Sequence, residues 1–251
     1  MKTLLLCFLL PWCAGAQENA YDVLGKALMP VANVFVTGTA THGLVLDAHL
    51  LQASALPPAL QNQPIHLALM PPGQALVQAP IDGQVLTVCR NGDSLWAAPA
   101  SKIQPLLDAL AAHAAGKKKR KHADSAAAKV FGPLALPIPP RDLVFLPVLF
   151  DVADVGNDTV AGATCRVLDV RFMPQIEKSL HAENWIARLW IKPDYSIVQI
   201  GLKGPNWSGG AAIDKMDFPG TLPAAAFQAP PADVMRLTAA QFLDLLQRLG
   251  R

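Results

Sequence analysis

The side chains of this sequence that could do chemistry are few and widely spaced. Its 251 residues include six histidines and four cysteines. None of them stands in a Gly-x-Ser-x-Gly, His-Glu-x-x-His, phosphate-loop or strand-linked Gly-x-Gly-x-x-Gly motif. The histidines lie mostly at turns or at polar strand positions: His42, His49, His66, His113, His122 and His181. We therefore predict that the protein is not an enzyme and has no catalytic residues.

The densest group of chemically active side chains lies between Met173 and Glu183, and includes Glu177, Lys178 and His181. Such a group could hold a metal ion or act as an acid–base pair. The same polarity is also typical of a solvated loop or a helical turn over a hairpin tip, and we favour this second interpretation. The cysteines that remain after export lack histidines at ligand spacing, so the sequence predicts no metal site and no cofactor.

The N-terminus has the pattern of an export signal. Met1-Lys2-Thr3 supplies a basic start, residues 4–12 are apolar, and the small residues that follow end in an Ala-x-Ala site at Ala16. This pattern predicts a signal peptide over residues 1–16, cleaved after Ala16, and a periplasmic mature chain. Two alternatives stay open: a buried N-terminal helix, and a lipoprotein signal with Cys13 as the lipidated residue.

The composition fits an exported globular domain that does not bind nucleic acid. The chain has 21 Lys and Arg residues against 19 Asp and Glu residues, a net charge of +2. Nucleic-acid binding would require a strongly basic surface. No apolar run beyond the signal is long enough to cross a bilayer as a helix. We expect one domain over residues 17–251, and a monomer.

Two cysteines remain once the signal is removed, Cys89 and Cys165. An oxidising compartment favours a disulfide between them. Both fall in predicted strands, and a bridge requires their Cα atoms to lie within about 7 Å. The sequence leaves two alternatives, a Cys89–Cys165 disulfide and two buried thiols.

Alternating apolar and polar residues between turns predict a mainly antiparallel sheet. Pro193-Asp194 is the tightest of these turns, since Pro presets φ and Asp accepts backbone bonds. Residues 31–41 and 44–50 form the first predicted hairpin, and residues 151–158 are predicted to turn the chain into the central strands. The predicted strands cover residues 31–41, 44–50, 65–69, 75–79, 85–90, 94–96, 162–172, 187–192, 196–203 and 212–218.

Three segments have helical periodicity. The first covers residues 18–29 and is expected to end at Pro30. The second begins near Pro105, because a proline is tolerated in a first turn. The third covers residues 238–249, with Thr238 as its N-cap and Gln241 at capping-box spacing.

An inserted loop at about residues 116–140 is rich in Ala, Pro and basic residues. Five consecutive basic residues begin with Lys117 and end with Lys121. This basic run could anchor anionic lipid headgroups. We favour the alternative of a solvated loop at a helix end, where cations suit the helix dipole.

Four short motifs follow one another along the chain. They are Asn91-Gly92-Asp93-Ser94-Leu95-Trp96 with Pro99, the strand 162–168, the hairpin 187–194, and the segment 217–223 with Phe227 and Pro230. Together they resemble the LolA-like superfamily, which contains periplasmic lipoprotein carriers, their outer-membrane receptors and envelope sensors. The resemblance covers most of the mature chain. It implies an α+β, mainly antiparallel β fold: a curved sheet that forms an incomplete half-barrel and is covered by a few helices.

The predicted sheet turns many apolar side chains inward. This set is larger than one open sheet can bury alone, so helices must cover it and leave a seam through which ligands enter. We therefore expect a non-enzymatic periplasmic carrier for an apolar ligand, such as a lipid or the acyl chains of a lipoprotein. The predicted cavity is lined by Val34, Val36, Leu44, Leu46, Leu67, Leu69, Leu189, Ile191, Val198, Ile200 and Leu202.

Two alternatives to this carrier stay open. The interior could be fully packed, with no cavity. The same fold could also serve as a sensor or interaction domain for a membrane or envelope protein, with the basic run and the loop around Trp207 as its contacts. No position matches the basic residue that governs lipoprotein retention in the carriers, so the resemblance implies an apolar ligand more firmly than a lipoprotein.

Overall fold

The computed structural model describes residues 18–35, 42–51, 54, 61–81, 83–115, 145, 147–180, 183–205 and 207–241. Within these residues, one sheet of eleven strands forms the body of the protein. Numbered along the chain, the strands are β1 (Leu44–Leu50), β2 (Pro64–Met70), β3 (Gln74–Ile81), β4 (Gln84–Asn91), β5 (Ser94–Ala98), β6 (Phe150–Val160), β7 (Ala163–Phe172), β8 (Ile186–Ile191), β9 (Ile197–Lys203), β10 (Ser208–Asp217) and β11 (Met235–Arg236).

The sheet is open and antiparallel throughout. Its strands lie in the order β11-β5-β4-β3-β2-β1-β10-β9-β8-β7-β6. Every neighbouring pair runs antiparallel, and β11 and β6 are the two edges. The predicted fold class is confirmed: an α+β fold whose antiparallel sheet does not close into a barrel.

Two meanders make up this sheet. Strands β1 to β5 pair in chain order, as do β6 to β10, because tight turns such as the one at Asn91-Gly92 return each strand beside the last. The meanders join through β1 and β10, where Leu50 lies opposite Ala211. These two residues are 161 positions apart (211 minus 50), so no local pattern predicts their pairing.

Three α-helices that lie wholly within the described residues accompany the sheet: α1 (Ala20–Val34), α2 (Ala100–Ala115) and α3 (Pro174–Leu180). α1 begins where the Asn19 side chain accepts a hydrogen bond from the Tyr21 N–H, which satisfies one free donor of the first turn. α2 begins at Ala100, whose N–H donates to the carbonyl of Asp233. The Asp233 carboxylate accepts from the N–H and hydroxyl of Ser101.

α1 and α2 lie on one face of the sheet, here called the helix face. α1 packs Leu24 and Ala27 into a core cluster with residues of β7, β8 and β9. α2 packs Ile103 and Leu107 against β4 and β5. The two helices therefore cover opposite ends of the sheet.

The strand register shows that both clusters belong to the same face. Residues directly opposite each other in an antiparallel pair share a face. Ile213, which packs against the α1 cluster, lies opposite Ala48. Two positions along β1 from Ala48 is Leu46, and the row runs on through Leu67 and Val77 to Val88 of the α2 cluster.

The opposite face, here called the outer face, is covered at one end by the C-terminal segment. A 3-10 helix at Ala224–Phe227 places the fully buried Phe227 ring in a cluster with Leu76, Cys89 and Trp96. The chain then returns to add β11 beside β5. Neither the 3-10 helix nor β11 is predicted from the sequence.

The prediction that Pro30 ends the first helix is wrong. α1 continues through Pro30 to Val34. A proline inside a helix removes one backbone hydrogen bond and costs about 3 kcal/mol. Burial of Ala32 and Val34 in the following turn offsets that cost. Residues 31–34 are therefore helical, and the predicted first hairpin of residues 31–41 with 44–50 does not form, since β1 pairs with β2 and β10.

Two further predicted boundaries are corrected. Residues 151–158, predicted as a turn, lie within the edge strand β6. An edge strand tolerates the polar sequence Asp-Val-Gly-Asn-Asp because β7 supplies the hydrogen-bonding partners on one side and water reaches the other. α2 begins at Ala100 rather than near Pro105, since Asp233 supplies a distant N-terminal cap.

The capping box at Thr238 is confirmed. The Gln241 N–H donates to the Thr238 hydroxyl oxygen over 3.2 Å, and the Thr238 N–H donates to the Gln241 side-chain oxygen over 2.9 Å. Several other predictions lie outside the described residues: the signal peptide at 1–16, Val36, the whole inserted loop at about 116–140 with its basic run, and residues 242–249 of the third helix. Within the described part of the chain, no helix is both long enough and apolar enough to span a membrane.

Candidate functional site

Between the two helix-covered clusters, β1, β2 and β3 carry a group of apolar side chains on the helix face. This group, here called the inner strip, consists of Leu46, Leu67, Leu69 and Val77. Leu46 lies opposite Leu67, and Leu67 lies opposite Val77. The three leucines are half-buried and Val77 is 39% exposed. None of the four belongs to the clusters under α1 and α2, so the described residues leave a solvent-accessible apolar surface here.

Four of the residues predicted to line a cavity come together in this region. Leu46, Leu67 and Leu69 form most of the inner strip, and Leu44 lies opposite Leu69 at its end. Leu44 is buried, at 5% exposure. These leucines lie side by side because the register of β1 and β2 places them directly opposite one another, on the same face of the sheet.

The other predicted lining residues that the structure describes lie elsewhere. Leu189 and Ile191 are buried in the core cluster under α1, and Ile200 packs against that cluster. Val34 is fully buried on α1 rather than on a strand. Val198 falls at a register shift in which Trp190 pairs with Gln199 and Ile191 with Ile197. Leu202 lies at the far end of β9 and is 38% exposed.

Val77 is a member of the strip that the sequence analysis does not single out. The alternation in residues 75–79 predicts a strand but does not reveal which face of it stays open. The opposite face of the same strand carries Leu76, which is buried under Phe227. Only the position of the C-terminal segment distinguishes the two faces.

A network of charged and polar side chains fixes the start of α1 on the sheet. The Lys26 ammonium donates to the Glu18 carboxylate and, over 3.1 Å, to the Tyr195 hydroxyl. The same ammonium lies 4.6 Å from the centre of the Tyr195 ring, a cation–π distance. This one hydrogen bond between Lys26 and Glu18 lowers the pKa of the Glu18 carboxyl and raises the pKa of the Lys26 ammonium.

Arg166 extends this network into β7 and β6. Its Nη1 donates to the Glu18 carbonyl over 2.5 Å, and its Nη2 donates to the Asp154 carboxylate over 2.6 Å. The hydrogen bonds from Arg166 lower the pKa of Asp154. The first turn of α1 is therefore held by side chains of β6, β7 and the β8–β9 turn, and the Leu24 face of the helix is directed onto the sheet.

Two small cavities are formed by described residues. One, of about 170 Å³, lies beside this network and is lined by Arg166, Tyr195 and Ile191 among others. The other, of about 300 Å³, is lined by Asp47, His66, Gln78 and Val85 among others. Of the residues predicted to line a ligand cavity, only Ile191 contacts either space. Neither of these two cavities is lined by a residue of the inner strip.

The cysteines are separate buried thiols in the structure. Six strands lie between β4, which carries Cys89, and β7, which carries Cys165. Seven steps of about 4.8 Å place them on the order of 30 Å apart along the sheet, far beyond disulfide reach. The sequence left open a Cys89–Cys165 disulfide or two buried thiols, and the structure contains two buried thiols. Burial raises the pKa of the Cys89 thiol to about 12.

The described residues contain no group of three or more His, Cys, Asp or Glu side chains that could hold a metal ion. Two histidines pair with carboxylates instead: His66 with Asp47 over 2.6 Å, and His49 with Asp214 over 2.5 Å.

No family model matches the sequence, and no curated protein matches it either. Among solved structures, the chain is similar to LprF from Mycobacterium bovis, with 13% identity, 81% of this chain and 95% of that chain covered, and a TM-score of 0.44. It is similar to a LolA superfamily protein from Nitrosomonas europaea, with 10% identity, 84% and 98% covered, and a TM-score of 0.30.

A third similar structure is the MucA/MucB complex of Pseudomonas aeruginosa. Identity is 12%, the TM-score is 0.41, and the match covers 88% of this chain but 64% of the other. The superfamily that the sequence motifs resemble is thus named among the similar structures. At these identities and TM-scores the likeness assigns neither a ligand nor a partner to the chain.

Proposed function

We propose that this protein is a non-enzymatic binding or carrier protein of the cell envelope, whose ligand is an acyl chain or a similar apolar group. The observation that supports this proposal is the inner strip. Three leucines and Val77 form a continuous apolar surface on the helix face, bordered on both sides by helix-covered core. An aliphatic chain that lies across β1, β2 and β3 would bury these side chains. Each Å² of apolar surface removed from water stabilises binding by about 25 cal/mol.

The strip suits an extended ligand better than a compact one. It crosses three strands spaced about 4.8 Å apart, and its side chains offer no charge and no hydrogen-bond donor. An acyl chain needs neither. A ligand with many polar groups would lose its hydration without finding partners, which costs free energy for each unpaired group.

Export to the periplasm completes the proposal. Cleavage after Ala16 would leave Gln17 as the first residue and keep Glu18, whose carboxylate and carbonyl anchor α1 through Lys26 and Arg166. Signal removal is therefore compatible with an intact core. When residues 1–251 are expressed in a bacterial host, mass spectrometry of the periplasmic protein should give a chain that begins at Gln17. A chain that retains residues 1–16 would contradict export.

The ligand proposal is tested with cis-parinaric acid, a fatty acid whose fluorescence rises in an apolar site. We expect saturable binding by the parent protein and strong loss in Val77→Asp. A carboxylate at position 77 places a charge in the strip, and burial of an unpaired charge is costly.

The matched control is Val85→Asp. Val85 is 56% exposed on β4, close to Val77 in the sheet. By register it lies on the outer face, since Val77 pairs with Val88 and Pro80 with Val85. Binding should survive this control. Equal loss in both variants, or no binding by the parent protein, would contradict a ligand site on the inner strip.

A further inference from the structure

One end of the sheet carries exposed aromatic and apolar side chains that the core does not use. Trp185 precedes β8 and Trp207 precedes β10, and the two rings meet edge to face with centroids 5.0 Å apart. Leu202, at the end of β9 between them, and Met173, directly after β7, belong to the same end. Trp185, Leu202 and Met173 are 37%, 38% and 40% exposed. We call these four residues the aromatic tip.

The aromatic tip is held in place by the backbone beneath it. The Gly204 N–H donates to the Trp207 carbonyl over 2.8 Å and closes a tight loop between β9 and β10. The Trp207 ring lies over Gly204 so closely that a Cβ atom there would be 2.9 Å from the indole nitrogen. Trp185 then packs against Trp207. The two rings are therefore ordered before any partner arrives, which lowers the entropy cost of docking.

The charges around the aromatic tip balance. Residues 173–185 and 203–208 contain two acidic side chains, Glu177 and Glu183, against two basic ones, Lys178 and Lys203, a net charge of zero. A surface of this kind has no long-range attraction for a strongly charged partner. The aromatic tip therefore suits a partner surface that has no net charge and an apolar layer beneath a hydrated one.

We propose that the aromatic tip docks on the surface of a phospholipid bilayer, with the two indoles in the headgroup region and Leu202 and Met173 beneath them. Tryptophan is enriched at membrane–water interfaces because its ring is apolar and its N–H can bond to water or lipid. Exposed lysines beside glutamates suit headgroups that carry both signs of charge.

The tip also lies where a lipid could pass to the helix face. Leu202 lies opposite Ala187, which packs against the α1 cluster on that face. The end of β1 is joined to the same end of the sheet, since the Leu51 N–H donates to the Gly210 carbonyl over 2.8 Å. The docking proposal goes beyond the proposed function and can fail independently of it.

Vesicles of pure phosphatidylcholine test the docking. The full mature protein should sediment with them, and a bromine-labelled phosphatidylcholine should quench its tryptophan fluorescence. The double variant Trp185→Ser with Trp207→Ser should bind about tenfold more weakly or worse, since each buried indole contributes well over the free energy that a tenfold change requires. Binding should be equal at low and high salt and should not increase when phosphatidylglycerol is added.

A second pair of variants guards against a folding defect in the double variant. Leu202→Glu changes one exposed tip residue and should also weaken vesicle binding, whereas Val155→Glu, at a site on β6 that is 50% exposed, should not. Failure of the parent to bind phosphatidylcholine would overturn the proposal and leave the tip to a protein partner. Binding that requires phosphatidylglycerol and vanishes in salt would overturn it too, since that result assigns the contact to basic residues. Cis-parinaric acid binding by the Leu202→Glu protein reports separately on the inner strip.

Discussion

The indole N–H of Trp96 donates to the carbonyl oxygen of Phe227 over 3.2 Å, inside the cluster that covers the outer face of the sheet. The Cys89 thiol lies 3.5 Å from the same oxygen. Trp96 is 4% exposed and Phe227 is fully buried. This bond ties the C-terminal segment to β5 on the outer face of the sheet.

We expect Trp96→Phe to lower the free energy of unfolding by about 1–3 kcal/mol, because the buried carbonyl of Phe227 would keep only a weak thiol donor. Trp190→Phe is the matched control. Its indole donates to the exposed Asp158 carboxylate over 3.0 Å, where water can replace the bond, so about 0.5–1 kcal/mol is expected. Urea unfolding measures both. A smaller effect at Trp96 than at Trp190 would show that the Phe227 carbonyl finds another donor.

Both mature cysteines should titrate as free thiols. Denatured, unreduced protein should give two equivalents with Ellman's reagent, and adding reductant should leave the melting temperature unchanged. In the native protein at pH 8, Cys89 should react very slowly, since its pKa of about 12 keeps it protonated and burial excludes the reagent. Fewer than two thiols after denaturation would show that the strands carrying Cys89 and Cys165 approach each other.

Asp154 should make stability depend on pH. Its pKa is lowered by the hydrogen bonds from Arg166, so its contribution is present above the unfolded pKa of about 3.9 and is lost as pH falls through the lower folded value. Asp154→Asn keeps the acceptor for the Gly156 N–H and removes the charge.

At pH 7 we expect Asp154→Asn to cost about 1–2 kcal/mol, reduced from a fully buried charged bond because the carboxylate is partly exposed. The difference from the parent should shrink below about pH 4 and vanish near pH 2. Asp93→Asn, in the β4–β5 turn, is the charge-matched control. A difference that stays constant with pH would mean that the charge of Asp154 is not what matters.

Gly210→Ala should destabilise the pairing of β9 with β10 inside the second meander. An added Cβ would lie 2.7 Å from the Ile200 carbonyl oxygen, so β9 and β10 would have to separate, at about 1–3 kcal/mol. Gly73→Ala is the control, since its nearest neighbour would be 3.5 Å away, an ordinary contact. Thermal unfolding compares the two. A Gly210→Ala protein as stable as the parent would show that β10 yields easily here.

The local sequence pattern determined the position of most strands of this protein. The strands β2 to β5 and β7 to β9 follow from alternation between tight turns, because side chains on a strand alternate faces with period two and the turn residues limit where the chain can reverse. The capping box at Thr238 could also be predicted from the sequence, since both of its hydrogen bonds join residues three positions apart. Leu46, Leu67 and Leu69 could be predicted as one surface for the same reason.

Only the tertiary structure decided which apolar surfaces the described helices cover. Leu189 and Leu67 have the same kind of local pattern, yet α1 buries the first and leaves the second half-exposed. α1 takes that place because Glu18 and Lys26 meet Arg166 and Tyr195, side chains 148 and 169 residues away along the chain. The distance between Cys89 and Cys165 was settled in the same way, by the joining of β1 to β10. Alternation reports the two faces of a strand, whereas pairing between distant strands and helix docking depend on the free energy of contacts that form only in the folded chain.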